Sequence, residues 1–188
     1  MLSAQKAISV FGSSTAAPGS PEYGQARRVG RLLAQAGFVV VTGGFGGLMA
    51  AACQGAREAG GHTVGITLPA WGRPANPWVC EERPQSSFVE RLLRMTTQAD
   101  GYVALEGGVG TLTEFSLVWS LLETGTLPPR PFVVLGERWR RLLGALAAEL
   151  ILRPEDLGLI TVADTPEAVV EALSRALAQT PGASGAGA

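Results

Sequence analysis

The residues with the clearest chemical potential lie on a glycine-rich turn that ends in an acidic side chain. The segment 106–114 follows an apolar run and leads into a stretch with helical periodicity. Glycine lets a ligand approach the backbone closely, and the N–H groups of a helix N-terminus attract phosphate. We therefore expect the turn to bind the phosphate group of a ligand through Gly107, Gly108, Val109, Gly110 and Thr111. Glu114 should face the same opening, although Thr111 and Glu114 also have the spacing of a capping box, which is the alternative role.

A second glycine-rich turn, at 42–49, also joins an apolar run to a helical segment. It lacks the Gly-Lys-Ser/Thr ending of a P-loop and the usual spacing of a dinucleotide fingerprint. The expected ligand contacts are Gly43, Gly44, Gly46 and Gly47, joined by Gly12 and Ser13 after the first apolar run. The alternative for each of these segments is an ordinary turn that binds nothing.

Arg91 lies in the third helical segment, just upstream of an apolar run, and Arg94 lies three residues further on the same face. Arginine forms paired hydrogen bonds with phosphates and carboxylates, so Arg91 is a candidate ligand contact. A solvated arginine on the helix surface is the alternative.

These segments must be positioned by an alternation of short apolar runs and amphipathic stretches. The apolar runs typical of buried parallel strands are 7–11, 38–42, 63–68, 101–105, 131–135 and 159–162. The predicted helices cover roughly 21–36, 47–60, 137–152 and 165–178, with a third helix that begins at Ser86 or Ser87 and a fourth that follows Gly110. The pattern predicts an α/β, Rossmann-like, doubly wound parallel sheet with helices on both faces, and ligands bind such sheets at the strands' carboxyl ends.

The chain length of 188 residues suits one domain, which we predict at 1–178, followed by a disordered Gly/Ala/Ser-rich tail at 179–188. The segment 69–85 is rich in proline and tryptophan and breaks the alternation. A long loop of this kind in a compact domain is often a lid over a site, and a plain surface excursion is the alternative.

Composition excludes several classes of function. With 46% hydrophobic residues, 16% charged residues and a net charge of −1, the chain is globular and lacks the basic field of a nucleic-acid-binding protein. Cys53 and Cys80 form no metal-binding motif, and His62 is the only histidine, so we expect no metal site, disulfide or cofactor. No signal peptide or long apolar stretch is evident, which predicts a cytoplasmic protein without a membrane partner.

Taken together, the motifs resemble those of the LOG ("lonely guy") family of cytokinin riboside 5′-monophosphate phosphoribohydrolases, also labelled lysine decarboxylases. Gly43–Met49 is similar to the family's GGGxxGLM segment, and Gly107–Glu114 is similar to its PGGxGTxxE motif. Glu90-Arg91 stands at the family's spacing before Asp100. The resemblance covers roughly residues 7–177.

The resemblance implies cleavage of the N-glycosidic bond of a nucleoside 5′-monophosphate, with Arg91 and Glu114 as the catalytic residues, and a homodimer. Two departures point to a divergent member, because Glu106 replaces the family's proline and Leu92 replaces a basic residue. The alternative function is a non-catalytic carrier of a nucleotide or of a phosphorylated pterin cofactor. Single-stranded nucleic-acid binding fits the charge poorly, and lysine decarboxylation lacks a suitable lysine because Lys6 precedes the first strand.

Overall fold

The computed structural model describes residues 5–179, and their backbone alternates between strands and helices. The strands are β1 (Ala7–Phe11), β2 (Val39–Thr42), β3 (Thr63–Gly65), β4 (Glu81–Glu82), β5 (Gly101–Ala104), β6 (Phe132–Leu135) and β7 (Ile160–Ala163). The helices are α1 (Pro21–Gln35), α2 (Gly47–Glu58), α3 (Phe88–Thr97), α4 (Val109–Glu123), α5 (Glu137–Glu149), α6 (Pro154–Gly158) and α7 (Pro166–Gln179).

The strands form one parallel sheet in the order β4-β3-β2-β1-β5-β6-β7. The chain builds outward from β1 to β4 and then crosses back to place β5 on the other side of β1. This reversal creates a crevice between the loops that follow β1 and β5, which is where open α/β sheets bind ligands. The predicted doubly wound fold is therefore confirmed.

Two apolar layers cover the sheet because successive strand residues point to opposite faces. On β5, Val103 packs with α1, α2 and α7, whereas Tyr102 packs with α3, α4 and α5. Neighbouring strands repeat this division, with Val133 on the first face and Phe132 on the second. Helices thus lie on both faces, as the continuous apolar strand runs predicted.

Several local predictions need correction. The run 63–68 forms only a three-residue strand, and its buried second half continues as a loop. The segment 69–85 contains a 3₁₀ turn at Pro69–Trp71 and the edge strand β4, so it is not a plain loop. α6 was not predicted. The predicted tail lies outside the described residues, apart from Gln179 at the end of α7.

The side chains of α4 are mostly apolar, yet the helix is only partly buried. Phe115, Val118 and Leu122 are buried against the sheet, but Leu112 keeps 41% of its surface exposed. The helix thus buries one side within the chain and leaves part of the other side in solvent. The homodimer stays a prediction.

Candidate active site

A cavity of about 550 Å³ opens at the carboxyl ends of β1, β2, β3 and β5. This volume is within the range of small-molecule sites. Its walls come from the loops after β1 and β5, the N-termini of α2, α3 and α4, and the segment after β3. The lining residues are Gly12, Ser13, Ser14, Thr15, Phe45, Met49, Trp71, Arg73, Phe88, Arg91, Gly108, Val109, Gly110, Thr111 and Glu114.

Arg91 projects from the first turn of α3 into the protein, where only 3% of its surface is exposed. Its Nε donates to the carbonyl oxygen of Ile66 at 2.8 Å, and Nη2 donates to that of Gly43 at 3.2 Å. The guanidinium also lies against aromatic rings, 5.2 Å from the centroid of Trp71 and 5.6 Å from that of Phe45. These contacts fix its orientation at the cavity floor.

Glu114 reaches the same floor from the second turn of α4 and is 6% exposed. Its Oε1 lies 3.5 Å from Nη1 of Arg91. Burial raises the pKa of Glu114 to about 7, because the apolar surroundings disfavour the carboxylate, and the Arg91 guanidinium only partly opposes this rise. Burial likewise lowers the pKa of Arg91, with Glu114 acting in the opposite sense. A carboxyl group with a pKa near neutrality can both accept and release a proton during a reaction.

The first turn of α4 forms one wall of the cavity. Gly108 is the N-cap and makes no side-chain capping bond, so the N–H groups of Val109, Gly110 and Thr111 follow it without intrahelical partners. On the facing loop, the hydroxyl groups of Ser13 and Thr15 lie 3.1 Å apart. Free N–H groups and hydroxyls at a helix N-terminus suit an anion such as phosphate.

An aromatic cluster forms the opposite wall, over the β2–β3 side of the sheet. The ring of Trp71 lies 5.5 Å from that of Phe45 and 5.8 Å from that of Phe88. Trp71 is 45% exposed and Phe88 is 41% exposed, so both present ring surface to the cavity. Stacked aromatic surface of this kind binds flat heterocycles.

The segment that carries Trp71 is held in place by Asn76. The amide nitrogen of Asn76 donates to the carbonyl oxygens of Gly44 and Phe45, and its side-chain oxygen accepts from the N–H of Trp78. The N–H of Asn76 also donates to the Gly44 carbonyl at 2.8 Å. The segment therefore stands as a fixed wall of the cavity.

The first glycine turn, 42–49, holds two parts of the site by backbone hydrogen bonds. The carbonyl oxygens of Gly43 and Gly44 accept from Arg91 and Asn76, and the N–H of Leu48 donates to the carbonyl oxygen of Ser13 at 2.7 Å. A side chain at Gly43 would overlap the Arg91 guanidinium, so glycine is needed there for close approach. The glycines of this turn hold Arg91 and the aromatic segment and do not line the cavity.

Comparison with known proteins identifies the family of the chain. A family model described as the SLOG cluster4 family matches residues 5–124, which include both glycine turns, Arg91 and Glu114. The chain belongs to the SLOG cluster4 family.

Relatives at the sequence level connect this SLOG chain to the LOG enzymes, as the motifs predicted. It is 31% identical over 180 residues to the cytokinin riboside 5′-monophosphate phosphoribohydrolase of Rhodococcoides fascians, covering 89% of each protein. It is 33% identical over 95 residues to an uncharacterized protein of Archaeoglobus fulgidus. That match covers 50% of this chain and 62% of the archaeal protein.

Solved structures with the same fold include a carrier protein and a binding protein of the molybdenum cofactor. The molybdenum cofactor carrier protein of Chlamydomonas reinhardtii is 25% identical, with a TM-score of 0.73 over 93% of this chain and 99% of the other. The molybdenum cofactor binding protein of Rippkaea orientalis is 24% identical, with a TM-score of 0.75 over 92% of this chain and 98% of the other. The likeness to the Rippkaea orientalis protein shows a shared fold and no more.

Two alternative roles derived from spacing are wrong for this SLOG protein. Arg91 is not a solvated surface arginine, because it is buried and bonded to two carbonyl groups. Thr111 and Glu114 do not form a capping box, because α4 begins at Val109 with Gly108 as its N-cap. Both residues lie inside the helix, which frees the Glu114 carboxyl to face Arg91.

The two departures from the LOG pattern have structural explanations. The Glu106 side chain does not line the cavity and lies 3.3 Å from Nε of Arg138 on α5. Leu92 is buried, so an apolar side chain packs inside the protein at the position where the family has a basic residue. Arg94 also stays outside the cavity and lines a smaller one with His62 and Arg83. A carboxylate at position 106 is thus compatible with an anion on the cavity side of the turn.

The predicted site residues divide into two groups. Those that line the cavity are Gly12, Ser13, Arg91, Gly108, Val109, Gly110, Thr111 and Glu114. Those that do not line it are Gly43, Gly44, Gly46, Gly47 and Gly107. Sequence analysis missed Phe45, Trp71, Arg73, Asn76 and Phe88. The unusual composition of 69–85 was the only signal for Trp71, Arg73 and Asn76, and Phe45 and Phe88 lie outside that segment.

The remaining candidates have ordinary surroundings. Cys53 is buried in α2, where burial raises the pKa of its thiol to about 11, whereas His62 is half-exposed with Nε2 3.3 Å from Glu81. Within residues 5–179, no group of three or more His, Cys, Asp or Glu side chains could hold a metal ion. No helix in the same range is both long and apolar enough to cross a membrane.

Proposed function

We propose that this protein is a phosphoribohydrolase that cleaves the N-glycosidic bond of a nucleoside 5′-monophosphate. The observation that carries the proposal is the buried pair of Arg91 and Glu114, 3.5 Å apart on the floor of a cavity with an anion-binding helix N-terminus. The Rhodococcoides fascians relative aligns with most of this chain, and its name supports the same reaction class.

In this proposal the nucleotide spans the cavity from one wall to the other. Its 5′-phosphate lies at the first turn of α4, against Gly110, Thr111 and the Ser13 hydroxyl. Its base stacks on Trp71 and Phe88, and the ribose crosses the floor above Arg91 and Glu114. The arginine is held by backbone carbonyls, so it orients the carboxylate and keeps a positive charge beside it.

The reaction consumes one water molecule for each bond broken. As the C1′–N bond lengthens, positive charge develops on the ribose, and the Glu114 carboxylate stabilises that charge. The same carboxylate accepts a proton from the water whose oxygen bonds to C1′. The bonding electron pair leaves with the base nitrogen, which takes up the proton that Glu114 received from the water, and the products are ribose 5-phosphate and the free base.

A carrier of a phosphorylated pterin cofactor is the second candidate, favoured by the likeness to the Chlamydomonas reinhardtii molybdenum cofactor carrier protein. The phosphate wall and the aromatic wall would serve a pterin as well as a nucleotide. Binding alone gives no use for the buried Arg91–Glu114 pair on the cavity floor, which is why hydrolysis is the leading proposal.

Incubation with a panel of purine and pyrimidine nucleoside 5′-monophosphates, including a cytokinin riboside monophosphate, tests the proposal. We expect free base and ribose 5-phosphate in equal amounts, resolved by chromatography. Release of base from no member of the panel, together with thermal stabilisation by a nucleotide or a pterin phosphate, would favour the carrier instead.

A further inference from the structure

The aromatic wall of the cavity offers hydrogen-bond donors and almost no acceptors. Phe45, Phe88 and Met49 contribute apolar surface, and the indole of Trp71 can only donate through its N–H. Besides Arg91, which contacts the rings from the cavity floor, the charged side chain on this wall among the described residues is that of Arg73, whose guanidinium carries five N–H donors and no acceptor. A base bound here must therefore present acceptors toward Arg73.

Arg73 is free to contact a ligand. Within residues 5–179 it makes no ion pair and no side-chain hydrogen bond. Arg91, the other cavity arginine, already donates to two carbonyl groups and faces Glu114. Recognition of the edge of the base is thus left to Arg73.

The backbone on both sides of Arg73 is held in place. Gly72 adopts a left-handed conformation, with φ of 62°, and its N–H donates to the carbonyl oxygen of Pro69 at 2.9 Å. This turn joins Trp71 to Arg73, which both line the cavity, and three residues after Arg73 the buried Asn76 anchors the chain to the first glycine turn. The guanidinium therefore extends from an ordered segment beside the stacking surface.

We propose that Arg73 selects nucleotides of 6-oxopurines, the bases of IMP and GMP, over those of adenine. This inference rests on the proposed function and names the class of base. A guanidinium pairs its N–H groups with O6 and N7 of a 6-oxopurine. Adenine places an amino donor where O6 would be, so one donor of Arg73 would face another donor without a partner.

The test compares IMP with AMP, which differ at C6, where a carbonyl oxygen stands in place of an amino group, and at N1, which carries a hydrogen only in IMP. In the wild-type protein we expect kcat/KM for IMP to exceed that for AMP by about tenfold, within the range of about 5- to 150-fold that a paired contact gives. In Arg73→Ala the ratio should fall toward one. Arg141→Ala, an exposed arginine on α5 outside the cavity, is the matched control and should keep the wild-type ratio.

Calorimetric binding of IMP and AMP to the same three proteins separates this inference from the proposed function. If no base is released but IMP binds more tightly than AMP and Arg73→Ala removes the difference, hydrolysis is refuted and selection by Arg73 stands. If both nucleotides are cleaved with equal kcat/KM, or if Arg73→Ala keeps the wild-type preference, selection by Arg73 is refuted and hydrolysis stands.

Discussion

The Oε1 atom of Glu114 lies 3.5 Å from the Nη1 atom of Arg91, and both side chains are more than nine-tenths buried. The two residues come from different helices, α4 and α3, and meet beneath the cavity because backbone carbonyls after β2 and β3 hold the guanidinium. Desolvation outweighs the attraction of this ion pair and leaves the Glu114 carboxyl with a pKa of about 7.

The raised pKa of Glu114 predicts that stability falls as pH rises. Between the ordinary pKa of 4.5 and about 7, the folded state binds more protons than the unfolded state. The stability that proton binding by Glu114 gives to the folded state is therefore complete below pH 4.5 and is lost as the pH rises through 7. The free energy of unfolding should change by an amount on the order of 1–3 kcal/mol. Urea unfolding at pH 5 and pH 8 should show this loss in the wild type and a smaller loss in Glu114→Gln. Identical pH dependence in both proteins would contradict it.

Replacement of Arg91 should shift the working pH range of the enzyme. In the wild type, kcat/KM should rise as pH passes through about 7, because the ionised Glu114 is the active form. Arg91→Met removes the charge that lowers this pKa, so the midpoint should move to higher pH and activity should drop. The pH profiles of kcat/KM check this shift. Arg94→Met, on the same helix but outside this cavity, should keep the wild-type midpoint.

The wall segment should depend on Asn76. Asn76→Ala removes two donated hydrogen bonds and one accepted bond from a buried site, which should cost about 1–3 kcal/mol of stability. Because Trp71 then loses its support, KM should rise several-fold while kcat changes less. Steady-state kinetics measure both constants, and Gln85→Ala is the control, because this partly buried amide in the same segment donates only to the nearby carbonyls of Arg83 and Pro84. An unchanged KM would show that the segment does not contact substrate.

The glycine at position 43 should be required for the orientation of Arg91. A Cβ there would overlap Nη2 of Arg91 and approach Sδ of Met49 to 2.8 Å, so Gly43→Ala should displace the guanidinium and sharply lower kcat/KM. Gly24→Ala is the matched control, because nothing lies within 4 Å of a Cβ at that exposed position of α1. The control should stabilise the helix by about 0.5–1 kcal/mol and keep its activity. Equal activity in the two variants would contradict this role for Gly43.

Much of the fold was predictable because its signals are local. Apolar runs such as Gly101–Ala104 lie between stretches with helical periodicity, and this alternation requires a parallel sheet with helices on both faces. The edge strand Glu81–Glu82 was missed because a two-residue acidic strand has neither alternation nor an apolar run. Pairing with the neighbouring strand β3 creates it, and such pairing is not visible in local sequence.

The site was predictable only in part. Glu114 was found through its glycine turn, but its spacing from Thr111 equally suggested a helix cap, because the start of α4 could not be fixed from sequence. Arg91 resembled a surface arginine, since its burial depends on carbonyl groups 25 and 48 residues away in the chain. Trp71 and Arg73 gave no pattern of their own, because Asn76 brings their segment to the cavity through tertiary contacts.

The most direct test of the central claim is base release by the wild type and by Glu114→Gln, measured with the best nucleotide of the panel alongside its calorimetric affinity. Glutamine keeps the size of the side chain and removes its proton-accepting carboxylate. The account predicts that Glu114→Gln binds the nucleotide within a few-fold of wild type and releases base at least about 100-fold more slowly. Base release at the wild-type rate, or no release by either protein despite binding, would contradict catalysis by Glu114.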